Sequence, residues 1–187
     1  MRQFNTQDLS RFKLPAGFRG RSALMVQLWW LVDALLFRPS PQFAYAFRVW
    51  LLRLFGAQVG RNVIVRPTAI ITYPWKLKIG DNAWIGDHVT LYSLGEITIG
   101  ANTVISQCTY VCAADHDHEQ AGFPIRARPV VIGNEAWVAT DVYVAPGVTI
   151  GDCAVVGARS SVFKDLPAGW VCLGSPCKPV RLRKVQG

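Results

Sequence analysis

An aliphatic residue returns at every sixth position through most of this chain. The series runs Val59, Val65, Ile71; Ile79, Ile85, Leu91; Ile99, Ile105, Val111; then Ile132, Val138, Val144, Ile150, Val156 and Val162. Such a period is neither helical nor that of one long strand, and an internal repeat fixes architecture before local propensity does. Hexads of this kind stack short parallel strands into a β-helix, each burying its aliphatic side chain against the coils above and below. The longer steps from Ile71 to Ile79 and from Leu91 to Ile99 are the beat plus a small surface insertion. The one large interruption, from Val111 to Ile132, contains two of the three histidines.

Within the hexads a glycine commonly follows the aliphatic residue, as in Ile79-Gly80-Asp81-Asn82-Ala83-Trp84 and Ile150-Gly151-Asp152-Cys153-Ala154-Val155. Gly, Asn and Asp after the aliphatic residue suit corners that need positive φ. Small residues at the fifth position (Ala83, Thr103, Ala136, Ala154, Ser160) suit tight packing beside each corner. Three hexads make one triangular coil.

The pattern divides the chain into residues 1–57, a helical segment; residues 58–166, the β-helix with an excursion loop at 112–131; and residues 167–187, a tail. Residues 22–38 and 42–55 are predicted helices, broken by Arg38-Pro39-Ser40-Pro41. Both are rich in aromatics, and Arg48 and Arg53 interrupt the second as on an amphipathic helix. Two readings stand: a cap packed on the open end of the β-helix, or an interfacial membrane helix seeking a lipid-linked substrate. Ala23 to Phe37 contains Asp33 and is shorter than the about 20 apolar residues that a membrane span needs. The beat ends at Pro167, and the Lys178, Arg181, Arg183 and Lys184 cluster that follows is either a solvated tail or, as its place after a β-helix favours, a phosphate-binding site.

Hydrophobic residues make up 51% and charged residues 17%, which requires a large core or a buried intersubunit surface. The net charge of +8 favours an anionic partner: a nucleotide cofactor, an anionic membrane surface or nucleic acid. The basic residues are scattered rather than clustered with stacking aromatics, so nucleic acid fits worst. The five cysteines form no CxxC pair, and Met1 to Pro15 has no apolar signal core. They read as reduced thiols of a cytoplasmic protein.

His116 and His118 lie in Ala114-Asp115-His116-Asp117-His118-Glu119, on the segment that leaves the repeat. A loop departing from a rigid scaffold is a common seat for catalytic groups, and an imidazole there can take a proton from an attacking hydroxyl. The same acidic and histidine-rich run could bind metal or merely solvate a loop. The spacing of His88, His116 and His118 does not match the three-histidine zinc site of the γ-class carbonic anhydrases. Cys112, four residues before His116, is either a nucleophile or a small buried hydrophobe.

Further segments extend the match beyond the repeat: Val130 to Val138, Ala145-Pro146-Gly147-Val148-Thr149-Ile150-Gly151, Lys164-Asp165-Leu166-Pro167 and Gly174-Ser175-Pro176-Cys177-Lys178. With these the chain resembles the hexapeptide-repeat sugar O-acetyltransferases over about residues 58–184. Its helical segment and Ile79-to-Asp87 stretch are most similar to the colanic-acid biosynthesis acetyltransferase group. The resemblance implies a left-handed parallel β-helix, acetyl-CoA as donor, no metal, and a homotrimer with active sites between subunits. It also implies His116 as general base, Trp137 along the thiol end of the CoA channel, backbone groups of Thr140 and Ala158 along the pantetheine arm, and Lys164, Lys178 and Arg181 at the nucleotide phosphates. Galactoside-type enzymes place an asparagine where this chain has Gly86, and their acceptor-binding N-terminus is replaced here by the aromatic-rich helices. Asp87 and His88 are therefore candidate acceptor-orienting residues, and the expected acceptor is a sugar hydroxyl of an exopolysaccharide or its lipid-linked precursor. A xenobiotic acceptor, or a non-enzymatic scaffold, is the alternative.

Overall fold

The computed structural model describes residues 6–184. The hexads form a parallel β-helix with three faces. The first face is built from Gln58–Val59, Leu77–Ile79, Ile97–Ile99, Val130–Ile132 and Thr149–Ile150. The second comprises Ile64–Val65, Trp84–Ile85, Val104–Ile105, Trp137–Val138, Val155–Val156 and Trp170–Leu173. The third comprises Ile70–Ile71, Thr90–Tyr92, Tyr110–Cys112, Tyr143–Val144 and Ser161–Val162. Register places beat residue on beat residue: Ile79 on Ile99, Ile99 on Ile132, Ile132 on Ile150. These inward side chains are almost fully buried, each stabilising the coil by about 1.5–3 kcal/mol.

The glycines that directly follow a beat residue serve close approach rather than positive φ, whereas Gly147 takes φ of 82°. A Cβ on Gly80 would lie 2.5 Å from the Ala101 amide nitrogen of the next coil. The left-handed backbone falls two residues later, at Asn82, Asn102, Glu135 and Cys153, and at the next corner at His88, Cys108, Asp141 and Arg159, with φ of 55–61°. Asparagine tolerates that region because its short polar side chain bonds locally. Here it also builds a ladder along one corner: Asn62 donates to Asn82 at 3.2 Å and Asn82 to Asn102 at 3.0 Å.

Helix α1 (Ala23–Val32) runs into a wider turn over Asp33–Phe37, and helix α2 (Tyr45–Leu54) follows. Together they close the end of the β-helix, where the first coil presents carbonyls with no strand beyond them. Arg53 Nε donates to Val59 O at 3.0 Å on the first face. On the second, Arg48 Nε donates to Val65 O at 2.7 Å, and on the third Trp29 Nε1 donates to Ile71 O at 2.9 Å. Each face thus has its own donor, and the exposed edge that would template further strands is satisfied. Arg48 is fully buried and does not mark a polar helix face. Its guanidinium also reaches Ser40 Oγ and the carbonyls of Pro41 and Gln42, fixing the linker between the helices, while burial disfavours its charged form.

At the other end the solenoid runs one coil past the aliphatic beat. Leu166 bridges to Ile150, Cys172 pairs with Val156, and the buried Cys177 donates its N–H to Ser161 O. Lys178–Leu182 then folds back antiparallel on Trp170–Leu173, so the tail is a hairpin extending the second face.

Candidate active site

The excursion leaves the corner between the third and first faces. Ala114–His116 pairs antiparallel with Ile125–Ala127, His116 opposite Ile125. The hairpin is clamped by charge: Asp115 accepts from Arg126 Nε at 2.8 Å and lies 3.3 Å from Arg128 Nη1. The hydrogen bond from Arg126 holds the Asp115 carboxyl below its usual range. Half-buried His116 brings Nδ1 to 2.9 Å from the Phe123 carbonyl and lays its ring on Phe123, with centroids 4.3 Å apart and planes 9° apart. A carbonyl can only accept, so Nδ1 carries the hydrogen and Nε2 keeps the basic lone pair. Phe123 holds that carbonyl from a left-handed backbone with φ of 47°, a conformation costing a bulky residue about 1–3 kcal/mol.

The neighbours of His116 have other partners. His118 is exposed in the turn beyond the strand. Asp117 accepts from Gln120 at 2.9 Å and lies 3.4 Å from Arg126. Among the described residues no three His, Cys, Asp or Glu side chains converge. Cys112 is buried, with its thiol on the Ala114 carbonyl at 3.1 Å, so its position is that of a small core residue.

A groove runs along the second face at its corner with the third. One part, about 390 Å³, is lined by Trp137, Thr140, Gly157 and Ala158. Trp137 is half exposed and donates Nε1 to Ser106 Oγ at 3.0 Å. The N–H groups of Thr140 and Ala158 donate to no acceptor among the described residues, while the Thr140 hydroxyl is held by Gln107 O at 3.0 Å. A second part, about 240 Å³, shares Ser106 and Gln107 with the first and is lined by Arg66, Trp84 and Gly86. Larger concavities of about 520 Å³ exist, one of them between α2 and the first coil, but that one holds neither histidine nor cysteine. Size therefore does not locate the chemistry.

Residues 129–164 match the family described as bacterial transferase hexapeptide, six repeats. The chain is 62% identical over 177 residues to the colanic acid biosynthesis acetyltransferase WcaF of Escherichia coli K12, covering 95% of this chain and 97% of the relative. The chain belongs to the hexapeptide-repeat acetyltransferases. Two solved members of this fold were determined with the cofactor. Galactoside acetyltransferase in complex with coenzyme A superposes with a TM-score of 0.78 at 29% identity, covering 92% of this chain and 85% of that one. The acetyltransferase VCA0836 of Vibrio cholerae, complexed with acetyl coenzyme A, gives 0.79 at 26% identity, covering 89% and 92%.

The remaining candidates divide unevenly in this acetyltransferase. Lys178 pairs with Leu173, whose side chain lies against Gly157 at the end of the groove; Lys178, Arg181 and Lys164 are all exposed. Arg183, grouped with them by sequence, instead donates to the carbonyls of Glu135 and Cys153 at 2.7 and 3.2 Å and so locks the tail to a corner. Partial burial opposes ionisation of Asp87, but hydrogen bonds from Thr68 and Arg66, both 2.8 Å, hold its carboxyl below the usual range. Asp87 therefore faces Arg66, and it is Arg66 that lines the groove. His88 is an exposed corner residue. Sequence reasoning missed Arg66, Ser106, Phe123 and Trp84; only Trp84 carried a signal, standing in its hexad where Trp137 stands in another. His116 lines neither part of the groove, since the third face, with its ladder of Tyr92, Tyr110 and Tyr143, lies between the two corners.

Proposed function

We propose that this acetyltransferase transfers the acetyl group of acetyl-CoA to a sugar hydroxyl of an exopolysaccharide or its lipid-linked precursor, on the cytoplasmic side of the membrane. The observation that carries the chemistry is the Phe123 carbonyl on His116 Nδ1, which leaves Nε2 as the proton acceptor. His116 Nε2 takes the proton as the hydroxyl oxygen attacks the thioester carbonyl. The C–S bond breaks as the tetrahedral adduct collapses, and the proton returns to the departing thiolate. No acyl-enzyme forms, in keeping with the buried Cys112 thiol. The pantetheine arm lies along the Trp137 part of the groove, where the free N–H groups of Thr140 and Ala158 suit its amide carbonyls. Lys164, Lys178 and Arg181 meet the nucleotide phosphates as charge-assisted donors. The part lined by Arg66, Trp84 and Gly86 takes the acceptor, because it continues the donor groove and its tryptophan offers an apolar platform for a sugar ring.

The assembly is a homotrimer with each site between two subunits. Its support is the separation of the His116 corner from the Trp137 corner within one chain, which a neighbouring copy resolves by supplying the missing half. General-base catalysis contributes about 10²–10⁴ in rate. Thiol release from acetyl-CoA, measured with a panel of sugars and nucleotide- or lipid-linked glycans, tests the reading. Acceptor-dependent release that falls by that factor in His116→Ala is expected. Near-normal turnover in that variant removes His116 as the base.

A further inference from the structure

The two N-terminal helices are apolar on both sides. Val26, Trp29 and Phe37 face inward, yet Leu24, Leu28, Leu31 and Leu35 form a second stripe on the opposite side of α1 and its continuing turn, 45–79% exposed. Phe43, Phe47, Trp50 and Leu54 repeat the same spacing through α2, and the Phe47 and Trp50 rings stack at 6.0 Å. Eleven of the twenty-two exposed large hydrophobic side chains among the described residues lie between Leu24 and Leu54. A stripe this long on a soluble protein marks an interaction surface. Since capping the β-helix consumes only the inner faces, the outer ones need a separate explanation.

Charge identifies what covers them. The basic residues are unevenly distributed along the chain. Residues 1–80 hold twelve Lys or Arg against two Asp or Glu, whereas residues 81–187 hold eight against ten. Three of the twelve, Arg61, Arg66 and Lys78, pair with Asp81, Asp87 and Glu96 of the coils, so the cations free to meet an anionic surface beside the stripes are chiefly Arg19 and Arg21. Of the two acids in residues 1–80, Asp33 is buried and paired with Arg38 at 2.5 Å. Arg19 and Arg21 are exposed just ahead of α1, where long cationic side chains can reach past an apolar surface to phosphate, whereas Arg11 lies against Gly122 of the excursion loop. No helix among the described residues is long and apolar enough to cross a membrane. Exposed leucines with Trp and Phe, flanked by arginines and free of acids, are the composition of a helix pair lying in a bilayer interface. A second protein copy explains the leucines but not the one-sided charge.

We propose that the outer faces of α1 and α2 dock this protein on an anionic lipid surface, apolar stripes in the acyl boundary and N-terminal arginines among the headgroups. Docking needs neither donor nor acceptor, so it stands or falls separately from the chemistry at His116. The test is co-sedimentation of the full-length protein with vesicles containing phosphatidylglycerol and, in parallel, vesicles of phosphatidylcholine alone. The expected result is pelleting with the anionic vesicles only. Raising salt to 1 M, where screening shortens to about 3 Å, weakens it, and Leu31→Gln/Trp50→Gln abolishes it with an unchanged thermal midpoint. Arg19→Gln/Arg21→Gln lowers the bound fraction and its salt dependence. Wild-type protein that stays in the supernatant, or that binds neutral vesicles equally well, overturns the proposal. So does a Leu31→Gln/Trp50→Gln variant of smaller mass in solution, because the face would then be an interface between copies.

Discussion

The tautomer of His116 is set by a backbone carbonyl seven residues away, and that carbonyl sits on a strained Phe123. Phe123→Gly relieves the strain but removes the ring on which the imidazole rests. It should lower kcat about 10- to 100-fold through loss of orientation, with little change in KM for acetyl-CoA; steady-state kinetics separates the two. The Asp115–Arg126 pair acts on the same hairpin through pH. Because the folded carboxyl titrates below its unfolded value of about 3.9, its stabilisation is present above that value and is lost as pH falls through the folded one. Asp115→Asn should remove that contribution at neutral pH and flatten the acid limb of hairpin stability. Hydrogen exchange of residues 114–127 between pH 3 and 6 reads it. Both partners are partly exposed, which keeps the effect to about 0.2–1 kcal/mol.

At the level of elements, the cap and the coil spacing decide stability. Arg48→Met leaves the buried Val65 carbonyl without a donor, and frees the more exposed carbonyls of Pro41 and Gln42 to bond water. An unsatisfied buried acceptor costs about 1–3 kcal/mol, so a loss of at least that size is expected in denaturant unfolding. Arg53→Met should cost less, since its bonds to Val59 and Gly60 are exposed to water. Gly80→Ala pushes a methyl into the backbone of the next coil and should cost about 1–3 kcal/mol or more. These contrasts were only half legible in the sequence. Arg48 in an apolar run looked like the polar side of a helix, because a single chain does not reveal that an open solenoid end needs donors there. The last coil escaped the beat because Cys172 and Cys177 fill inward positions that the aliphatic pattern excluded.

For the whole molecule, the proposed trimer makes a prediction that no single-chain site can meet. His116→Ala and Trp137→Ala damage different halves of each site. Co-refolding the two inactive variants in equal amounts should restore about a quarter of the wild-type sites by random mixing in a cyclic assembly. Activity absent from the mixture places both residues in one chain's site. The outer faces of α1 and α2 enter at this scale too, because they set which side of the assembly meets a lipid surface.

The sequence by itself determined the solenoid, the segment that interrupts it and the histidine on that segment. A period of six admits one way of stacking aliphatic side chains, and an excursion from a rigid repeat is visible wherever the beat fails. Which groups meet was decided by tertiary structure. The Phe123 carbonyl on His116 and the three donors on the open coil join residues whose separation along the chain follows no pattern, and even where the repeat sets the separation, as for Trp137 with Trp84 or Asp87 with Arg66, the contact itself is made only by stacking. The reason is physical: periodicity records which side chains face the core. Hydrogen bonds and ion pairs depend on distances of about 3 Å that exist only once the coils are stacked.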